Sequence, residues 1–173
     1  SDVRIILGVG LTKGEKMDFV VEKATELGAH AIVPFTSEFS VPKLDERKIT
    51  TRAARWEKIA LAAVKQSGRT RVPEVLPLRD LAALVSGAWD DALKLFLWEK
   101  ESAQSLRAAR ERRGKAKAVL LVVGPEGGFS PSEAALAQAH GFESVHLGPR
   151  ILRAETAAIA ALSLVQFLWG DAQ

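Results

Sequence analysis

Cysteine is absent from the 173 residues, which removes disulfides, thiolate nucleophiles and Cys-ligated zinc and makes a reducing compartment the easier setting. Apolar runs of the roughly 20 residues that cross a bilayer are missing, and the N-terminus SDVRIILGVG lacks the basic start of a secretory signal. A soluble cytoplasmic protein is therefore expected. The three histidines, His30, His140 and His146, fall at no metal-ligand spacing, so no metal is expected, and the lack of a Gly-x-Ser-x-Gly elbow disfavours serine hydrolysis. Internal repeats and low-complexity tracts are lacking too, and the Pro-punctuated stretch 72–78 is the only linker-like segment. What is present, 47% hydrophobic residues in a chain of this length, suits one domain with a substantial core. The chain opens on Ser rather than Met, which leads us to expect a processed or cut chain.

Net charge is small, +3, but the positive residues are unevenly placed, and placement decides what a surface attracts. One basic stretch carries Lys43, Arg47, Lys48, Arg52, Arg55, Lys58, Lys65, Arg69 and Arg71; another carries Arg107, Arg110, Arg112, Arg113, Lys115 and Lys117. Either suits phosphate contact, although a charge run taken alone more often marks a solvated helix face.

Apolar β-rich runs at 3–7, 31–35, 93–98, 118–123 and 144–147 alternate with helical patterns, which predicts an α/β domain with a mostly parallel sheet and flanking helices. Met17, Val20, Val21, Ala24 and Leu27 recur at helical spacing before the stop Gly28, and Trp56, Ile59, Ala60, Ala63 and Val64 stripe a second helix from about 52 to 67 with a basic outer face. Ser130-Pro131-Ser132-Glu133 is a capping box with Pro at the first helical position, closed by Gly141. A last helix, about 154 to 169, has almost no polar side and is expected to be buried all round, with a second copy of the chain covering what the sheet does not.

Two segments carry chemistry. Strand 119–123 runs into Gly124-Pro125-Glu126-Gly127-Gly128 and then the capped helix, and glycines at a strand's carboxyl end let a ligand approach backbone. Leu147-Gly148-Pro149-Arg150-Ile151-Leu152-Arg153-Ala154-Glu155-Thr156-Ala157 concentrates polar groups at the start of an apolar helix; capping accounts for any one of them, a site for the group. Gly8-Val9-Gly10-Leu11-Thr12-Lys13-Gly14 imitates a dinucleotide loop, but its third glycine comes one residue late.

These segments, with Lys16-Met17-Asp18-Phe19 through Glu26-Leu27-Gly28, Arg55-Trp56 and Gln66-Ser67-Gly68-Arg69, resemble the bacterial 16S ribosomal RNA uridine N3-methyltransferase family of the SPOUT superfamily over nearly the whole chain, residues 1–173. The resemblance implies a deep C-terminal trefoil knot and S-adenosyl-L-methionine held against the knot by three loops. It places cofactor contacts on Leu97 and Glu99, on Gly124, Pro125, Glu126, Gly127 and Gly128, and on Leu147, Gly148, Ile151, Leu152, Thr156 and Ala157. The reaction it implies is methylation of N3 of a uridine in small-subunit ribosomal RNA; for that chemistry Arg153 is the candidate to stabilise charge on the uracil oxygens, and Glu155 either assists proton removal or fixes Arg153. Lys43, Arg52, Arg55, Arg69 and Arg150 are candidate RNA contacts. Family members usually carry an N-terminal PUA-type RNA-binding domain, which this sequence does not contain. Another departure is Phe39 in Ser37-Glu38-Phe39-Ser40-Val41, where the family more often has Arg. Two rivals stand beside this reading: a non-catalytic RNA-binding module of the same fold, and a nucleotide-dependent oxidoreductase built on Gly8, Gly10 and Gly14.

Overall fold

The computed structural model describes residues 2–40, 43–99 and 104–172. In chain order it runs β1 (Arg4–Gly10), α1 (Lys16–Glu26), β2 (Ala31–Thr36), α2 (Glu46–Ser67), β3 (Glu74–Val75), β4 (Arg79–Asp80), α3 (Leu81–Val85), β5 (Ala92–Leu97), β6 (Gln104–Ser105), α4 (Leu106–Arg113), β7 (Ala118–Val123), α5 (Pro131–Ala139), β8 (Glu143–His146) and α6 (Ala154–Trp169). The strands form one sheet in the order β3-β2-β1-β7-β5-β8-β6, with β4 beside β2, and every pairing among the described residues is parallel. The expected mostly parallel α/β architecture is what the chain adopts.

The sheet alternates its side chains between two cores. In β7 all six residues, AVLLVV, are buried, as a strand covered on both faces must be. Val119, Leu121 and Val123 join a core with Met17, Trp56, Leu106 and Leu162, while Leu120 and Val122 join one with Leu84, Phe129, Ala137 and Phe142. Helices α1, α2, α4 and α6 thus cover one face, α3 and α5 the other.

Helix ends follow local chemistry. Ser130 caps α5 and Glu133 reciprocates, as the sequence specified, and Gly141 takes a positive φ of 82° just beyond it. Helix α2 starts six residues before the apolar stripe suggested, because Asp45 accepts from the Lys48 amide at 2.9 Å and sets an earlier cap. The 72–78 stretch is not a linker: it contributes β3 to the sheet. In helix α6, Ala158, Ala161, Leu162 and Val165 are enclosed by the chain itself, whereas Leu164 and Phe167, on the side expected to meet a second copy, are 42% and 57% exposed.

Candidate functional site

Four strand ends meet at one edge. Leu97 of β5 lies in register with Val123 of β7 and Val145 of β8, and Val9 of β1 with Val123, so the loops leaving these strands share one crevice outside the carboxyl ends. Gly10 makes this possible: a Cβ there would lie 2.4 Å from the Pro125 nitrogen, so β1 and the 124–128 loop touch through bare backbone. The Gly128 amide donates to the Pro125 carbonyl at 2.9 Å, closing the turn with Gly128 at φ +68°.

The cavity at this edge has a volume of about 530 Å³, within the range of small-molecule sites. Of the residues singled out from sequence, Leu97, Glu99, Gly124, Pro125, Glu126, Gly127, Gly128, Ile151, Leu152, Arg153 and Ala157 line it together. Residues 100–103, which continue the Leu97-Trp98-Glu99 loop, and Val41 lie outside the described residues. Leu147 packs against the core, Gly148 donates its amide to His146 Nδ1 at 3.0 Å, and neither these nor Glu155 and Thr156 line the cavity. Arg153 is exposed at the start of α6, where it is the N-cap without a side-chain cap bond. Glu155 Oε2 is buried and has no hydrogen-bond partner among the described residues.

Sequence reading missed Lys16, Phe39, Trp98, Val123, Phe129 and Ala154 as lining residues. Lys16 enters the cavity because α1 opens where β1 delivers the chain to the same sheet edge. Its ammonium lies 3.2 Å from Glu126 Oε1, which also accepts from the Lys13 amide at 3.3 Å. Partial burial disfavours the Glu126 carboxylate, but its own backbone, Lys16 and the Lys13 amide outweigh this and hold its pKa below the ordinary 4.5.

The basic residues divide. Lys43 and Arg150 are exposed and Arg52 half-buried. Arg55 grips Asp18, its Nε at 2.8 Å, fastening α2 to α1. Arg69 donates to the Thr25 and Ala29 carbonyls at 2.5 and 3.1 Å, closing the end of α1. In α4, Arg110 donates to the Leu168 carbonyl, Arg112 and Arg113 flank Glu143, and Arg107 pairs with Glu111, so structural contacts account for its arginines. Gly8 and Gly10 lie inside β1, packed on Val122 and Pro125, and do not form a dinucleotide loop.

Residues 1–166 match the family described as RNA methyltransferase domain. The chain belongs to this RNA methyltransferase family. Ribosomal RNA small subunit methyltransferase E of Bacillus subtilis strain 168 is 36% identical over 169 residues, covering 95% of this chain and 66% of the relative. A crystal structure of a ribosomal RNA small subunit methyltransferase E from Neisseria gonorrhoeae, bound to S-adenosyl methionine, superposes at a TM-score of 0.88 with 37% identity, over 99% of this chain and 68% of that one. The SpoU methyltransferase AviRb of Streptomyces viridochromogenes, 16% identical over 95% of this chain and 59% of that one at a TM-score of 0.50, shares the fold alone. The methyltransferase domain thus spans about two thirds of the length of the curated relatives it matches. Among the described residues no helix is long and apolar enough to cross a membrane, and no acidic or histidine cluster suits a metal ion.

Proposed function

We propose that this chain is an S-adenosyl-L-methionine-dependent methyltransferase acting on N3 of a uridine in 16S ribosomal RNA, in the cytoplasm where ribosomal subunits are assembled. The observation that carries the reading is the cavity of about 530 Å³ walled by the 124–128 backbone, with Arg153 at its rim. The residues present fit the cofactor: glycines leave amides and carbonyls bare, and a Cβ on Gly127 would lie 2.6 Å from the Phe39 Cβ, so side chains would fill the cradle. When bound, S-adenosyl-L-methionine supplies an electrophilic methyl group.

The acceptor N3 carries a proton that has to leave, and negative charge then develops on the uracil oxygens. The Arg153 guanidinium, without a partner among the described residues, supplies the compensating charge. Glu155, in the first turn of α6 with a buried oxygen unpartnered among the described residues, either takes the proton or fixes Arg153. Leu97, Glu99, Gly124 to Gly128, Ile151, Leu152 and Ala157 enclose the cofactor, with Leu147, Gly148 and Thr156 supporting the third loop. Lys43, Arg52 and Arg150 meet RNA phosphates, and an RNA-binding domain of PUA type is the partner such a domain works with. The order β1-β7-β5-β8 brings the C-terminal segments back between earlier strands, which supports a trefoil knot of SPOUT type. The exposed Leu164 and Phe167 support a homodimer through α6.

Calorimetry with S-adenosyl-L-methionine and with NAD, followed by single-turnover methyl transfer to small-subunit RNA, tests the reading. We expect binding of the first cofactor alone, and Arg153→Ala should slow transfer while sparing cofactor affinity. Binding of NAD, or no transfer to RNA by the parent, overturns it.

A further inference from the structure

The large apolar side chains lining the cavity are mostly enclosed, but two stay in solvent: Phe39, 43% exposed, and Ile151, 86% exposed. Phe39 is held in place by more than packing. It sits in a turn in which the Ser40 amide donates to the Ser37 carbonyl at 3.1 Å and the Ser37 amide donates to Ser40 Oγ at 2.9 Å. The neighbouring Glu38 amide donates to Glu133 Oε1 at 2.8 Å, tying the turn to the start of α5. The Phe39 Cβ rests against Gly127, and its ring makes no aromatic pair or cation contact among the described residues. An aromatic ring is thus fixed at its base, left open at its face and set on the wall of the cavity.

We propose that Phe39 is the positioning residue that receives the target base, stacking on the uracil ring so that N3 points into the cavity. The inference rests on the proposed RNA methyltransferase reading. A base that undergoes chemistry has to leave its stack, and enzymes that extrude a base hold it between aromatic and apolar side chains. A single-stranded base gains stacking on any aromatic face, whatever its sequence context. Ile151, preceding Arg153 on the 147–152 loop, supplies the second apolar side chain on the wall that carries the proposed charge-stabilising group.

The test uses the full chain, a short oligouridylate containing 5-iodouridine, and the variants Phe39→Leu and Phe39→Trp. Irradiation should couple the iodouridine to the peptide containing Phe39. Phe39→Leu, which keeps apolar bulk without a ring, should lose that adduct and lower single-turnover methylation roughly five- to hundredfold, the loss of one base stack. Phe39→Trp should restore both, and cofactor affinity should stay near that of the parent throughout. Coupling confined to the basic residues of α2, or full methylation by Phe39→Leu, overturns the proposal while leaving the methyltransferase reading in place. A parent that neither transfers methyl nor couples overturns both.

Discussion

Gln166 of α6 donates its side-chain amide to the carbonyl of Leu27, the residue that closes α1, at 2.7 Å. The bond crosses the chain from end to end and satisfies a carbonyl the helix itself leaves open. It also dictates its neighbour: at Gly28 φ is +89° and a Cβ would lie 2.4 Å from Gln166 Nε2. Gly28→Ala should therefore destabilise the fold by about 1–3 kcal/mol through backbone strain alone, with the collision added. Thermal unfolding of Gly28→Ala, Gln166→Ala and the double variant should show less than additive losses, because removing Gln166 relieves the collision; strict additivity would refute this coupling.

The exposed side of α6 leads to a second expectation. The proposed dimer buries Leu164 and Phe167, so Leu164→Glu with Phe167→Glu should give monomers in sedimentation while leaving the enclosed Leu162 face folded. A parent that sediments as a monomer at micromolar concentration removes the dimer.

In the 124–128 loop, two glycines should fail for different reasons. A Cβ at Gly127 would lie 2.6 Å from Phe39 Cβ, whereas Gly128 has open space but a positive φ of 68°. Gly127→Val should abolish cofactor binding by displacing the turn. Gly128→Asn should be milder than Gly128→Val, because Asn tolerates that conformation better than a β-branched residue. Calorimetric titration ranks them; equal affinity in all three would move the cofactor elsewhere.

Arg69 and Arg52 belong to one basic stretch and should behave oppositely. Arg69 holds the Thr25 and Ala29 carbonyls, and burial pushes its pKa down, so Arg69→Gln should lower the melting temperature. Arg52→Gln should spare stability and flatten the dependence of log RNA affinity on log salt by roughly 0.7 to 0.9, the value of one phosphate contact. An unchanged slope would return Arg52 to a solvated helix face.

His30 makes stability sensitive to mild acid. Its Nδ1 accepts from the Ile5 amide at 3.4 Å, and burial first, then Arg69 and Arg71, lowers its pKa from 6.5. The fold thus favours the neutral ring: its contribution is present above 6.5 and is lost as pH falls through the lowered folded value. Urea midpoints should decline over that interval, and His30→Asn, which keeps an acceptor but cannot ionise, should show a shallower decline. Parallel curves would assign the acid sensitivity to other groups.

Long elements and sharp caps were legible in the sequence because their signals are local. Ser130, Pro131 and Glu133 write the start of α5 within four residues, and the six apolar residues of β7 announce a strand covered on both faces. The short β3, β4 and β6 were not legible: two-residue strands exist by pairing with β2 or β8, and such partners leave no local pattern. In the site, the glycines and Arg153 stood out by composition. Phe39 and Lys16 did not, since each reaches the cavity from a distant segment and belongs locally to an ordinary turn or helix start. Arg69 misled for the same reason, its carbonyl partners lying some forty residues upstream.

The pairing of β1 with β7, from Arg4 opposite Ala118 to Val9 opposite Val123, sets the order in which a nascent chain acquires its structure. Residues 11–117 lie between these strands, so β1 is made well before β7 and waits with one side bonded to β2 and the other open. Its apolar residues Ile5, Leu7 and Val9 remain without their β7 partners until residues 118–123 have been made. Completion of the sheet therefore waits on β7, and until then β1 presents an unpaired strand edge open to wrong pairing.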